Sequence, residues 1–154
     1  MTGTAAADRR RDAGDHVRER SPDDAKEAID RETLERVRAC ARQGDSAIAA
    51  RLAELDGEWD IERWLETNGS ILAGAGLALG VGVNRKWLLL SGAVVSFCLQ
   101  HAVQGWCPPV EVFRRLGVRT QREIERERYA LKALRGDFAS AQTDAETAFR
   151  AAAA

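Results

Sequence analysis

Residues 67–84 read TNGSILAGAGLALGVGVN, eighteen in a row without a charge. After Arg85 and Lys86, residues 87–110 read WLLLSGAVVSFCLQHAVQGWCPPV, again uncharged when His101 is neutral. Residues 67–110 thus hold two formal charges among 44 residues, whereas the other 110 residues hold 45. Trp64 to Val83 spans twenty residues, about 30 Å as α-helix and close to the thickness of a bilayer core. Trp87 and Trp106 lie nineteen residues apart, about 28 Å, so their rings fall at opposite interfaces of such a layer. The Arg85-Lys86 tip is short, so the two spans are expected as antiparallel neighbours over about 64–83 and 87–107.

The first span is rich in glycine: Gly69, Gly74, Gly76, Gly80 and Gly82. Each costs about 1 kcal/mol relative to alanine in a water-exposed helix. A membrane helix tolerates them, because lipid offers the backbone no competing hydrogen bonds. Gly76 and Gly80 form a GxxxG pair, and Ser70/Gly74 and Ala78/Gly82 repeat the small-xxx-small spacing. Such faces let helix backbones approach closely. Gly92 and Ser96 give the second span a small face of its own. A soluble alternative, the two runs buried in a four-helix bundle, is disfavoured because the flanking helices are too polar to cover both.

Outside these runs the chain is an ordinary charged polypeptide. Over 154 residues, 23 Lys and Arg face 24 Asp and Glu, which excludes a strongly basic nucleic-acid binder. Twenty arginines against three lysines, with abundant alanine, hint at a GC-rich bacterial gene. The length allows one domain at most. Arg9, Arg10 and Arg11 are followed by charge rather than an apolar run, so no signal peptide is expected. Residues 1–20 carry almost no large apolar side chains and are expected to be disordered. A cytoplasmic helical arm should cover 21–57, with Ser21 as cap, Pro22 at the first position and Asp23 and Asp24 at the positive end of the dipole. Ile29, Thr33, Val37, Ala41, Ile48, Leu52, Leu55 and Trp59 recur at helical spacing, with a break at Gly44-Asp45-Ser46. This narrow stripe suits a solvated helical hairpin or a short coiled-coil contact. The hairpin unit runs over 58–118 and ends at Pro108-Pro109, which should stop the second span. Val110, Val112, Phe113, Leu116 and Val118 interleaved with Arg114 and Arg115 read as an interfacial segment, with arginine heads at lipid phosphates. Thr120 to Glu123 fits a capping box opening a helix over 119–138, with Ile124, Leu131 and Leu134 on one side. The tail, 139–154, should fray.

Orientation follows from the cations near the span ends. Residues 47–66 carry two arginines and residues 111–130 carry six, against Arg85 and Lys86 at the tip. The positive-inside rule then places both termini in the cytoplasm. Trp64, Trp87, Trp106, Arg114 and Arg115 are the expected interface anchors. The fold class expected is all-α: an integral membrane two-helix hairpin with flanking amphipathic cytoplasmic helices.

Chemistry is sparse. The one polar group in the spans is Cys98, Gln100, His101, Gln104 and Cys107. Cys98 and His101 share a helix face, but Cys107 lies too far along the axis to complete a zinc site, which wants four ligands or three plus water. Neither a metal nor a cofactor is expected. An acyl-transfer triad lacks its carboxylate. The three cysteines, Cys40, Cys98 and Cys107, are odd in number and contain no CxxC. Cys107 is the candidate reactive thiol. A helix C-terminus opposes its thiolate and Arg114 and Arg115 favour it, and a structural cysteine is the simpler reading.

The stretches ERW…NGSILAGAGLALG from Glu62, WLLLSGAVVSF from Trp87 and GWCPPVEVFRRLGV from Gly105 to Val118 resemble the YgaP-like transmembrane domain family of bacterial inner-membrane proteins, a domain of unknown function. The resemblance covers about 60 of the 154 residues, from Asp60 to Gly117. It implies a multi-pass hairpin in the bacterial inner membrane with cytoplasmic termini and a homodimer through the membrane helices, with Gly76 and Gly80 as the natural face. It also implies rhodanese-type sulfurtransferase company, although no rhodanese-type cysteine loop is present here. The leading expectation is a small non-enzymatic membrane anchor or assembly module, its partner the lipid bilayer. The rivals are a redox or sulfur-handling membrane component with Cys107 as its thiol and His101 assisting, and a small channel or transporter subunit built from several hairpins.

Overall fold

The computed structural model describes residues 14–139 and 145–153. All regular structure among them is helical: α1 His16–Arg20, α2 Asp23–Gln43, α3 Asp45–Gly57, α4 Ile61–Gly82, a 3-10 turn Arg85–Trp87, α5 Leu88–Gln104, α6 Pro108–Arg115, α7 Gln121–Arg135 and α8 Ala145–Ala153. The all-α class is therefore as expected. The single domain is not, because the chain divides into two compact units, residues 1–28 with 59–121 and residues 29–58 with 122–154.

The second unit is built from the arm before the hairpin and the helix after it. Gly44, at φ +90°, separates α2 from α3 at the expected break. Ile48, Leu52 and Leu55 of α3 bury themselves against Ile124 and Leu131 of α7, with Val37 and Cys40 of α2 packed alongside. The stripe at Val37, Ile48, Leu52 and Leu55 is therefore the inner face of a three-helix core rather than a solvated hairpin, while Ala41 and Trp59 are exposed. α7 supplies the apolar surface that the narrow stripe needed. Ion pairs seal the edge. Glu127 is fully buried and accepts from Arg51 Nε at 2.8 Å and Nη2 at 3.2 Å, while Arg36 Nε lies 3.7 Å away. The Glu127 bond holds the Arg51 proton more tightly than usual despite partial burial. Arg128 bonds Asp56, and Arg126 reaches Asp30 at 3.2 Å. Leu134, expected beside Leu131, is exposed instead.

The first unit holds the hairpin. Asp60 caps α4, its carboxylate accepting from Arg63 N at 2.8 Å. At the tip, Asn84 Oδ1 accepts from Lys86 N at 2.9 Å and starts the 3-10 turn. α5 ends at Gln104 because Gly105 adopts φ +68°, not because of the prolines. Pro108 and Pro109 instead open α6 at its first two positions, where no N–H is needed.

At the foot, Ile61, Cys107, Val110 and Val17 form a small core, with Leu65, Phe113 and Val118 against it. Val17 brings α1 into that core, so residues 14–20 are ordered where disorder was expected; residues 1–13 lie outside the described residues. Polar bonds hold α1 in place. Asp15 accepts from Arg18 N at 2.9 Å and from the Thr120 hydroxyl. The Ser21 hydroxyl donates to Val17 O at 2.7 Å and accepts from Arg114 Nε at 2.8 Å. Ser21 is thus tied to α1 and does not cap α2. The tail expected to fray is helical over Ala145–Ala153, while residues 140–144 and 154 lie outside the described residues.

Candidate functional site at the foot of the hairpin

The register of α4 against α5 is antiparallel. A β-carbon on Gly80 would meet Leu88 at 2.5 Å, one on Gly76 would meet the Ser91 hydroxyl at 2.6 Å, and one on Gly69 would meet Cys98 Sγ at 3.2 Å. Ser91 Oγ donates to Ala73 O at 2.8 Å across the same seam. Gly76 and Gly80 are therefore consumed by packing within the chain and are not free to join two copies. This corrects the dimer face expected from the resemblance. Gly74 and Gly92 have open space where a β-carbon would stand.

Glycine on the seam leaves the large side chains facing outward. Ile71, Leu72, Leu77, Leu79, Val81 and Val83 of α4 and its end are exposed, as are Leu88, Leu89, Val95, Phe97, Leu99 and Val103 of α5. Val81 and Leu89 are 81% and 76% exposed. Among the described residues, one helical stretch, Arg85–Gln104, is long and apolar enough to cross a membrane. α4 is as long but carries Glu62, Arg63 and Glu66 in its first two turns.

The polar residues of the spans gather at the foot. His101 Nε2 lies 2.7 Å from Glu62 Oε2, bonding α5 to the first turn of α4. His101 Nδ1 is buried without a hydrogen-bond partner. Cys98 sits one turn further in, against Gly69. Gln100 is half-buried and Gln104 exposed. Cys107 is separated from this pair of helices by the Gly105 turn. It stands at the N-cap of α6, not at a helix C-terminus, and is 4% exposed among Val17, Ile61 and Val110. The structure thus joins His101 to Glu62, which the sequence reading did not single out. A symmetric tip at 84–85 sets residue 62 opposite residue 107, so the sequence alone does not bring Glu62 to His101; the observed register does. Among the described residues no group of three His, Cys, Asp or Glu is placed to hold a metal ion.

The anchors divide. Trp87 is exposed at the tip, and Trp106 is half-buried beyond the Gly105 turn. Trp64 is part-exposed and packs on Phe113 and Trp59, with ring centroids at 6.1 and 5.4 Å. Arg63 lies over the Trp59 ring at 4.3 Å. Arg115 is exposed and pairs with Glu111 and Asp24 at 3.2 and 3.3 Å. Arg114 is 1% exposed, bonded to Ser21 and to Val118 O, so it is a buried clamp and not a phosphate-facing anchor. Its position four residues after Val110 turns it inward with that residue.

These features define the class of the chain: an all-α protein whose centre is a glycine-seamed helical hairpin with an apolar exterior. No protein-family model, curated protein or solved structure matches it.

Proposed function

We propose that the chain is a small, non-enzymatic integral protein of a bacterial inner membrane, a hairpin anchor on which its charged helices assemble. The observation that carries this reading is the continuous apolar exterior of α4 and α5, against a seam closed by Gly76 and Gly80. Lipid chains are the solvent that such an exterior fits. The order of the chain supports a hairpin that enters and leaves on one face. Residues 48–55, before the spans, share one core with Ile124 and Leu131, after them. Asp15 and Ser21 likewise bond Thr120 and Arg114. The excess of arginine on these flanks favours the cytoplasmic side. A sulfur-handling role through Cys107 is the weaker reading, because that thiol is packed in apolar surroundings. Alkaline carbonate extraction tests the proposal: the protein should stay in the membrane pellet, and release into the wash would end it.

A further inference from the structure

We infer that the hairpin is built for a bilayer thinner than ordinary, one with short acyl chains or one that thins around it. The inference rests on the membrane reading above and adds the kind of lipid. Outward-facing apolar side chains begin at Ile71 on α4 and end at Val83, about 18 Å of helix. On α5 the apolar stretch, broken only by Ser91 and Ser96, runs from Trp87 to Leu99, again about 18 Å, and one further large apolar residue, Val103, follows beyond Gln100 and His101. Below it lie Gln100, His101 and Gln104, level with Glu66, Thr67 and Arg63 by the register that pairs Gly69 with Cys98 and Gly76 with Ser91. The two helices therefore turn polar at the same height. The bonded pair Glu62–His101 puts a carboxylate and an imidazole within about a turn of that height, a costly pair to hold in lipid. Arg85 and Lys86 bound the other end. Even the charge-free height, from Thr67 to Val83, is about 24 Å against about 30 Å for a typical core, and any tilt shortens it further. The tryptophans do not lengthen it. Trp64 packs on Phe113 and Trp59 at the foot, and Trp106 lies past the end of α5.

The test uses the full chain reconstituted into phosphatidylcholine vesicles with fourteen-, eighteen- or twenty-two-carbon monounsaturated chains. The carbonate-resistant fraction should be greatest in the shortest lipid and fall severalfold in the longest. The double variant Thr67→Leu with Gln100→Leu, which lengthens the apolar band at the foot by about one turn, should move the optimum to the eighteen-carbon vesicles. A resistant fraction that is equal in all three lipids or highest in the longest, or an optimum that the double variant leaves in place, overturns the inference while leaving the membrane reading intact. Failure to insert in any vesicle overturns the membrane reading itself.

Discussion

A β-carbon at position 76 would stand 2.6 Å from the Ser91 hydroxyl and 3.1 Å from Trp87 O, with no flexible side-chain end to give way on the backbone side. At position 74, one residue pair away on the same helix, nothing lies within 4 Å. Gly76→Ala should therefore force the helices apart and destabilise the hairpin by about 1–3 kcal/mol, read as a lower midpoint of thermal unfolding in detergent micelles. Gly74→Ala should be neutral or raise the midpoint slightly, since alanine is the better helix former. If Gly74→Ala proved the more damaging, a second copy packed on that face would be the explanation. Cys107 poses the same kind of question at one atom. Its burial among Val17, Ile61 and Val110 predicts that a hydrophilic maleimide at neutral pH labels it only after denaturation. Rapid labelling of the native protein at Cys107 would restore the sulfur-handling reading.

At the scale of elements, what could be read from the sequence depended on whether the determinant was local. The break at Gly44, the short tip at 84–86 and the helical stripe of α3 are carried by neighbouring residues, and each is where the sequence places it, as are Ile124 and Leu131 of α7 but not Leu134. The elements misread are those whose environment comes from far along the chain. α1 has a single large apolar residue, Val17, and its order comes from bonds to Arg114 and Thr120, 93 and 105 residues away from their partners. The proline pair serves as a helix start because Gly105 has already turned the backbone, and a proline alone does not say which side of it is helical. At the candidate site, the polar cluster on α5 was legible, but its partner Glu62 needed the register of two helices. The pairing of α3 with α7 makes a further prediction. Glu127→Ala takes the buried carboxylate from Arg51 and Arg36, which keep Glu54 and Glu58 and Glu32 respectively, and should cost about 1–3 kcal/mol. Replacing both Glu127 and Arg51 by methionine should recover part of that loss, because one of the two arginines that face the buried carboxylate goes with it and apolar packing replaces the pair. Chemical denaturation monitored by helical circular dichroism checks both, and a double variant no better than Glu127→Ala would show that the pair matters for more than charge balance.

For the whole molecule, the order of units along the chain constrains topology more strongly than the apolar runs do. The chain alternates between its two units, with residues 29–58 and 122–154 completing one and residues 1–28 and 59–121 the other. A segment that precedes the hairpin and one that follows it cannot share the core of Ile48, Leu52, Leu55, Ile124 and Leu131 unless both emerge on the same face of a membrane. A chain that crossed once, through the Arg85–Gln104 stretch alone, would hold these residues apart and leave both apolar faces and the Glu127 carboxylate unpaired. The tip should then be the one part on the opposite side. In a variant with all three native cysteines replaced by serine or alanine, a cysteine at Arg85 should react with an impermeant maleimide added outside intact cells. Cysteines at Glu54 and at Glu125 should react only after permeabilisation. Reaction of Glu54→Cys and Glu125→Cys from opposite sides would break the hairpin topology. Reaction of both from outside, with Arg85→Cys protected, would keep the hairpin and invert it, showing that eight flanking arginines against two tip cations do not decide its direction.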